Sequence, residues 1–146
     1  MTQNGSDPSQ TSQISAVPAG VDTSEQRRVV SLSDEVLATI QELPADSALL
    51  LVHHGPNTGA RFLLDTESTR AGRHPSVDIF LDDVTVSRRH AEFIRQGERF
   101  YVRDLGSLNG TYVNRERIDE VELSTGDEVQ IGKYRLTFHA SPSRNV

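Results

Sequence analysis

The stretch VELSTGDEVQIGKYRLTF, from Val121 to Phe138, decides the fold. Val121 and Leu123 bracket Glu122, Val129 and Ile131 bracket Gln130, and Leu136 and Phe138 bracket Thr137. A period of two sends apolar side chains to one face of a chain and polar ones to the other, the pattern of half-buried strands. Thr125-Gly126-Asp127 supplies turn chemistry between the first two runs. Working outward, Ala48 to Val52, Phe62 to Leu64, Ile79 to Leu81, Ala91 to Ile94, Phe100 to Val102 and Thr111 to Val113 are short apolar runs of the same kind. Gly55-Pro56-Asn57, His74-Pro75, Gln96-Gly97 and Leu108-Asn109-Gly110 punctuate them. Nine or more short strands in about a hundred residues predict an all-β sandwich or barrel.

Upstream the pattern changes. Val29, Leu32, Val36, Leu37, Ile40 and Leu43 recur at three- and four-residue steps, which is helical spacing. Ser33 is placed to cap a short helix over 33–43, Asp34 and Glu35 suit its first turn, and Pro44 stops it. Its apolar stripe implies a docking surface on this protein or another. Residues 1–25 are dominated by Gln, Asn, Ser, Thr, Gly and Pro and hold too little apolar surface to offset chain entropy, so disorder is expected there. The expected organisation is a tail over 1–46, a β domain over 47–140 and a C-terminal tail over 141–146.

Composition narrows the function. The chain has 146 residues, 35% hydrophobic and 25% charged, with a net charge of −6. It holds no cysteine, which excludes disulfides, thiolate metal sites and cysteine nucleophiles. No apolar run approaches the ~18 residues of a membrane span, so a soluble, cytoplasmic protein without a membrane partner is expected. The acidic balance disfavours nucleic acid. The acid excess lies mostly in residues 1–46, where two arginines face seven acidic residues. Of fifteen basic residues only Lys133 is a lysine. Arginine suits bidentate phosphate or carboxylate recognition, although a genome rich in G and C produces the same bias.

Sandwiches carry function on loops. Three stand out: Ala71-Gly72-Arg73-His74-Pro75, Thr85-Val86-Ser87-Arg88-Arg89-His90, and Asp104 to Thr111. They offer guanidinium groups, a hydroxyl, backbone N–H groups and a side-chain amide. That inventory fits a phosphate attached to a peptide.

The set Gly72-Arg73, Ser87-x-x-His90 and Asn109-Gly110-Thr111, followed by Val113-Asn114, resembles the forkhead-associated (FHA) domain. The resemblance covers roughly residues 48–140. It implies an FHA-type β-sandwich of about eleven strands that binds phosphothreonine peptides and is not an enzyme. Gly59 to Asp65, Ala71 to Pro75, Asp78 to Glu92 and Gly106 to Arg115 further resemble the small actinobacterial glycogen accumulation regulator and oxoglutarate dehydrogenase inhibitor family. Members of that family inhibit 2-oxoglutarate dehydrogenase components and act on glutamate dehydrogenase and glutamate synthase. A Ser/Thr protein kinase switches them off by phosphorylating a tail threonine that then fills the protein's own site. Where the family has Glu-Thr-Thr-Ser-Val-Phe, this chain has Val21-Asp22-Thr23-Ser24-Glu25-Gln26. Thr23 is the phosphorylation candidate that remains, with Thr11 behind it.

The resemblance assigns phosphopeptide binding to Arg73, Ser87, Arg88 and Asn109. Arg73 and Arg88 hold the phosphate, Ser87 donates its hydroxyl or its backbone N–H to it, and Asn109 bonds the peptide main chain. Ser87 also reads as an ordinary turn serine and Asn109-Gly110 as a hairpin turn, and for Asn109 the turn and the peptide bond can hold together at neighbouring atoms. Gly72, Gly110, Thr111 and His90 are loop supports. A Ser/His pair three apart evokes nucleophilic catalysis, but no orienting acid or oxyanion element accompanies it. His53, His54, His74 and His139 lack ligand spacing, and no metal or other cofactor is expected. Asp78, Asp82 and Asp83 read as turn formers or as charge partners of Arg88 and Arg89. The expected partners are phosphothreonine proteins, a Ser/Thr kinase, 2-oxoglutarate and glutamate enzymes and the chain's own tail, met by a monomer. A phosphopeptide-binding signalling adaptor without a metabolic target is the alternative.

Overall fold

The computed structural model describes residues 33–144. The chain divides into two compact units, one running to Leu37 and the other starting at Ala38. The expectations for residues 1–25, including Thr11 and Thr23, lie outside the described residues.

Helix α1 spans Asp34–Gln41. Ser33 caps it, its Oγ accepting the N–H of Val36 at 3.1 Å. The last turn tightens as the Leu43 N–H bonds the Ile40 carbonyl at 3.2 Å, just ahead of Pro44. The helix is therefore shorter at its C-terminus than the spacing predicts.

Eleven strands follow: β1 (Ala48–His54), β2 (Arg61–Leu64), β3 (Ser68–Gly72), β4 (Ile79–Phe80), β5 (Ala91–Gln96), β6 (Arg99–Asp104), β7 (Thr111–Val113), β8 (Glu116–Ile118), β9 (Glu120–Leu123), β10 (Glu128–Ile131) and β11 (Tyr134–Ala140). One sheet runs β2-β1-β11-β10-β7-β8 and the other β4-β3-β5-β6-β9. Among the described residues, β3–β4 is the only parallel pair. The alternating residues of the Val121–Phe138 stretch form β9, β10 and β11, and Val129, Ile131, Leu136 and Phe138 are all buried. Across the sandwich they meet Phe93, Phe100 and Val102, and Phe100 and Phe138 stack obliquely with centroids 5.6 Å apart.

Two strands are invisible as apolar runs. β3 reads Ser-Thr-Arg-Ala-Gly and β8 reads Glu-Arg-Ile. Their strand state comes from pairing, Thr69 opposite Phe93 and Tyr112 opposite Arg117. The β3–β4, β4–β5 and β6–β7 connections carry the three loops singled out above.

Candidate functional site

Gly72 closes β3, and its missing side chain sets the geometry around it. A Cβ there would stand 2.1 Å from the Arg88 carbonyl oxygen and 3.1 Å from that of Ser87. Only glycine lets the β4–β5 loop lie so close to the strand end. The Arg73 N–H then bonds the Ser87 carbonyl at 3.0 Å, and Arg73 Nε bonds the Val86 carbonyl at 3.0 Å. Among the described residues nothing bonds the terminal nitrogens of Arg73, so its guanidinium is oriented and still has donors to offer. Arg73, Arg88 and Arg89 are exposed.

His90 joins this loop to the next. It has no exposed surface. The Ser87 N–H donates to Nδ1 at 3.0 Å, which makes Nδ1 the acceptor and leaves the proton on Nε2. Nε2 donates to the Gly110 carbonyl at 2.8 Å. Burial depresses the histidine pKa, opposed in part by the Gly110 carbonyl and the charge of Asp104. The ring is a neutral brace between two loops.

A second link crosses at Ser87, whose Oγ accepts the Leu108 N–H at 3.0 Å and keeps its own proton to donate. A third is Asn109, whose Nδ2 donates to the Thr85 carbonyl at 2.9 Å. Asp104 organises the β6–β7 loop from below. Its carboxylate accepts the N–H groups of Gly106 and Ser107 at 3.0 and 3.1 Å, Ser107 Oγ at 2.5 Å and Thr111 Oγ1 at 2.7 Å. Burial raises the Asp104 pKa, but these bonds outweigh it and hold the carboxyl below its usual value of 3.8. Ser107 Oγ in turn accepts the Gly110 N–H at 2.9 Å.

Sequence reasoning gave no role to Thr85, Asp104, Ser107 or Lys133. Thr85 Oγ1 donates to the Asp83 carboxylate and accepts the Lys133 N–H at 2.9 Å, tying the β4–β5 loop to the β10–β11 turn. Thr85, Asn109, Gly110, Tyr112, Gln130, Gly132 and Lys133 line a depression of about 290 Å³. Of the two roles read for the aspartates, Asp83 takes the turn role, while Asp78 reaches back to the backbone of β3. Asp83 accepts the Thr85 N–H at 2.9 Å and Asp78 that of Arg70 at 2.9 Å, and no ion pair joins either to Arg88 or Arg89 among the described residues.

Arg73, Ser87 and Asn109, separated in sequence, thus sit on three loops that hydrogen bonds fuse into one rim. A cationic rim with a hydroxyl free to donate and a side-chain amide is the inventory expected of an FHA phosphopeptide site. The FHA domain family model matches residues 69–132. The chain is 61% identical over 110 residues to the glycogen accumulation regulator GarA of Mycolicibacterium smegmatis, covering 75% of this chain and 70% of that one.

The chain belongs to the FHA-domain family.

Another FHA relative, the oxoglutarate dehydrogenase inhibitor of Corynebacterium efficiens, is 70% identical over 102 residues, covering 69% of this chain and 71% of its own. Among solved structures, the FhaA FHA domain complexed with the intracellular domain of Rv3910 superimposes with a TM-score of 0.58 at 31% identity, covering 62% of this chain and 98% of that one. The FHA sandwich expected from the motifs is the fold observed, and with it comes a phosphopeptide-binding domain. The relatives are named as a regulator and an inhibitor rather than for a catalysed reaction. No described helix is long and apolar enough to cross a membrane.

Proposed function

We propose that the chain is a phosphothreonine-binding regulator that restrains 2-oxoglutarate and glutamate enzymes by docking on them through Arg73, Ser87, Arg88 and Asn109. The observation that carries this reading is the fusion of three loops by Arg73, Ser87, His90 and Asn109, with the terminal nitrogens of Arg73 and the hydroxyl proton of Ser87 left unspent. A phosphothreonine brings about −1.5 to −2 charges and three acceptor oxygens. Arg73 and Arg88 supply charge-assisted bonds of ~1.5–3 kcal/mol each, Ser87 donates its hydroxyl, and Asn109 brackets the peptide backbone. Together these make micromolar affinity, near ~8 kcal/mol, attainable. His90, neutral and enclosed, is a brace rather than a base, and the site performs no chemistry. The 2-oxoglutarate dehydrogenase target is inferred from the name of the Corynebacterium efficiens relative, covered over about seven-tenths of its length, and the glutamate enzymes from the family resemblance of the motifs alone.

The chain acts as a monomer in the cytoplasm, and a Ser/Thr kinase switches it by phosphorylating Thr23. A tethered phosphothreonine meets its own rim at up to ~mM effective concentration and displaces partners in trans. Calorimetry with a phosphothreonine peptide is the test of the site. Arg73→Ala and Ser87→Ala each lose binding by about 100-fold or more while the fold persists, and unchanged affinity in either variant overturns the site. Tail docking seen by NMR after kinase treatment vanishes in Thr23→Ala, and its persistence overturns the switch.

A further inference from the structure

Two large apolar side chains stand apart from the others in the described chain. Val84 is 84% exposed and Leu108 86%, whereas Leu37, Leu63 and Phe80 range from 39% to 50%. A single exposed aliphatic residue needs no explanation. These two share one place: each is the chain neighbour of a member of the Thr85–Asn109 hydrogen bond on the phosphopeptide rim. Both also occupy loop positions that ordinarily go to Gly, Pro, Asn, Asp or Ser. Val84 rides the turn closed by the Val86 N–H on the Asp83 carbonyl at 3.0 Å, with the Asp83 carboxylate holding the Thr85 N–H. Leu108 is fixed through its own N–H on Ser87 Oγ. Neither loop has to be ordered when a partner arrives, so burial of the two side chains converts into affinity with little entropic loss.

We infer that Val84 and Leu108 are an apolar contact for a folded partner, covered by the partner's surface while an anionic group of that partner sits on Arg73 and Arg88. The inference rests on the reading of this rim as the docking site. The occupant is a folded enzyme, 2-oxoglutarate dehydrogenase, presenting an acidic or phosphorylated group beside an apolar hollow. Val84 and Leu108 adjoin Thr85 and Asn109 of the rim in the chain, and the exposed cations Arg73, Arg88, Arg89 and Lys133 call for an acidic surface around that hollow. A short peptide of small residues lacks the breadth to cover both side chains. The patch is thus where discrimination between a folded target and a bare phosphopeptide arises.

The test uses the full chain carrying Val84→Ser and Leu108→Ser together. Both positions are exposed, so the thermal midpoint stays within about 2 °C of the parent. Affinity is measured by calorimetry for a phosphothreonine peptide otherwise made of alanine and serine, and half-inhibition is measured on the 2-oxoglutarate dehydrogenase complex. The double variant changes peptide affinity by less than about 3-fold and weakens inhibition by about 10-fold or more. Inhibition within about 3-fold of the parent overturns the inference, as does an equal loss on peptide and enzyme. Arg73→Ala separates the two levels. If it loses both readouts while the double variant keeps inhibition, the patch fails and the site stands. A parent chain that neither binds nor inhibits the dehydrogenase overturns the patch and the metabolic reading together.

Discussion

The carbonyl oxygen of Arg88 lies 2.1 Å from the point where a Cβ on Gly72 would stand. The obstacle is backbone, not the flexible end of a side chain, so a methyl group at this position has to push the β4–β5 loop off the end of β3. Gly72→Ala therefore breaks the Arg73–Ser87 backbone bond, costs about 1–3 kcal/mol by overpacking, and lowers phosphopeptide affinity at least 10-fold. Urea unfolding and calorimetry read the two effects separately, and an unaltered affinity contradicts the close approach.

His90 is the second point of failure. Its removal leaves the Ser87 N–H and the Gly110 carbonyl without their partner inside the protein. Each orphaned group costs about 1–3 kcal/mol, so His90→Ala destabilises by roughly 3 kcal/mol or more and loosens both loops. Chemical denaturation gives the loss, and the amide resonances of Ser87 and Leu108 report the loosening.

Stability falls in mild acid. His90 and His139 are both buried, and burial holds each below the usual histidine value of 6.5, His53 adding to the effect at His139. Above pH 6.5 neither the folded nor the unfolded chain carries the protons, and this contribution to stability is fully present. As pH drops below 6.5 the unfolded chain takes up protons that the folded chain refuses, so stability declines. Asp104, held below 3.8, adds its own loss in stronger acid. Urea midpoints from about pH 8 to about pH 5 follow the histidine part, and His139→Asn flattens the slope. Peptide affinity is a poorer readout because the phosphate itself titrates near pH ~6.

Asn109 separates recognition from support. Its side chain is exposed and donates to the Thr85 carbonyl, so Asn109→Ala costs less than about 1 kcal/mol in stability and lowers phosphopeptide affinity about 10-fold. Asn109→Asp is worse than alanine for binding. It sets a carboxylate against the Thr85 carbonyl and beside an incoming phosphate. Equal affinities for the two variants contradict the role of the amide.

Thr85→Val keeps the shape but removes the hydroxyl that bonds Asp83 and receives the Lys133 N–H. The β4–β5 loop loses its tie to the β10–β11 turn, and amide exchange at Lys133 accelerates while the core strands keep their protection.

By itself, the amino-acid sequence determined an all-β fold of many short strands, and the FHA resemblance chose a sandwich over a barrel. Alternation in Val129-Gln130-Ile131 and Leu136-Thr137-Phe138 is a local record of which face of each strand is buried, and turn residues mark where the chain reverses. The same local chemistry exposed Arg73, Ser87, Arg88 and Asn109 as loop residues of the right types. β3 and β8 escaped that reading because their side chains carry almost no apolar pattern, and their neighbours in the sheets confer the strand state. Only the tertiary structure decided which nitrogen of His90 holds the proton, that Thr85 bridges to Lys133 across the rim, and that Asp104 gathers Ser107 and Thr111 beneath it. Burial propensity is written residue by residue along the chain. A hydrogen bond is short and directional, and between residues distant in sequence it exists only once folding has brought donor and acceptor within about 3 Å.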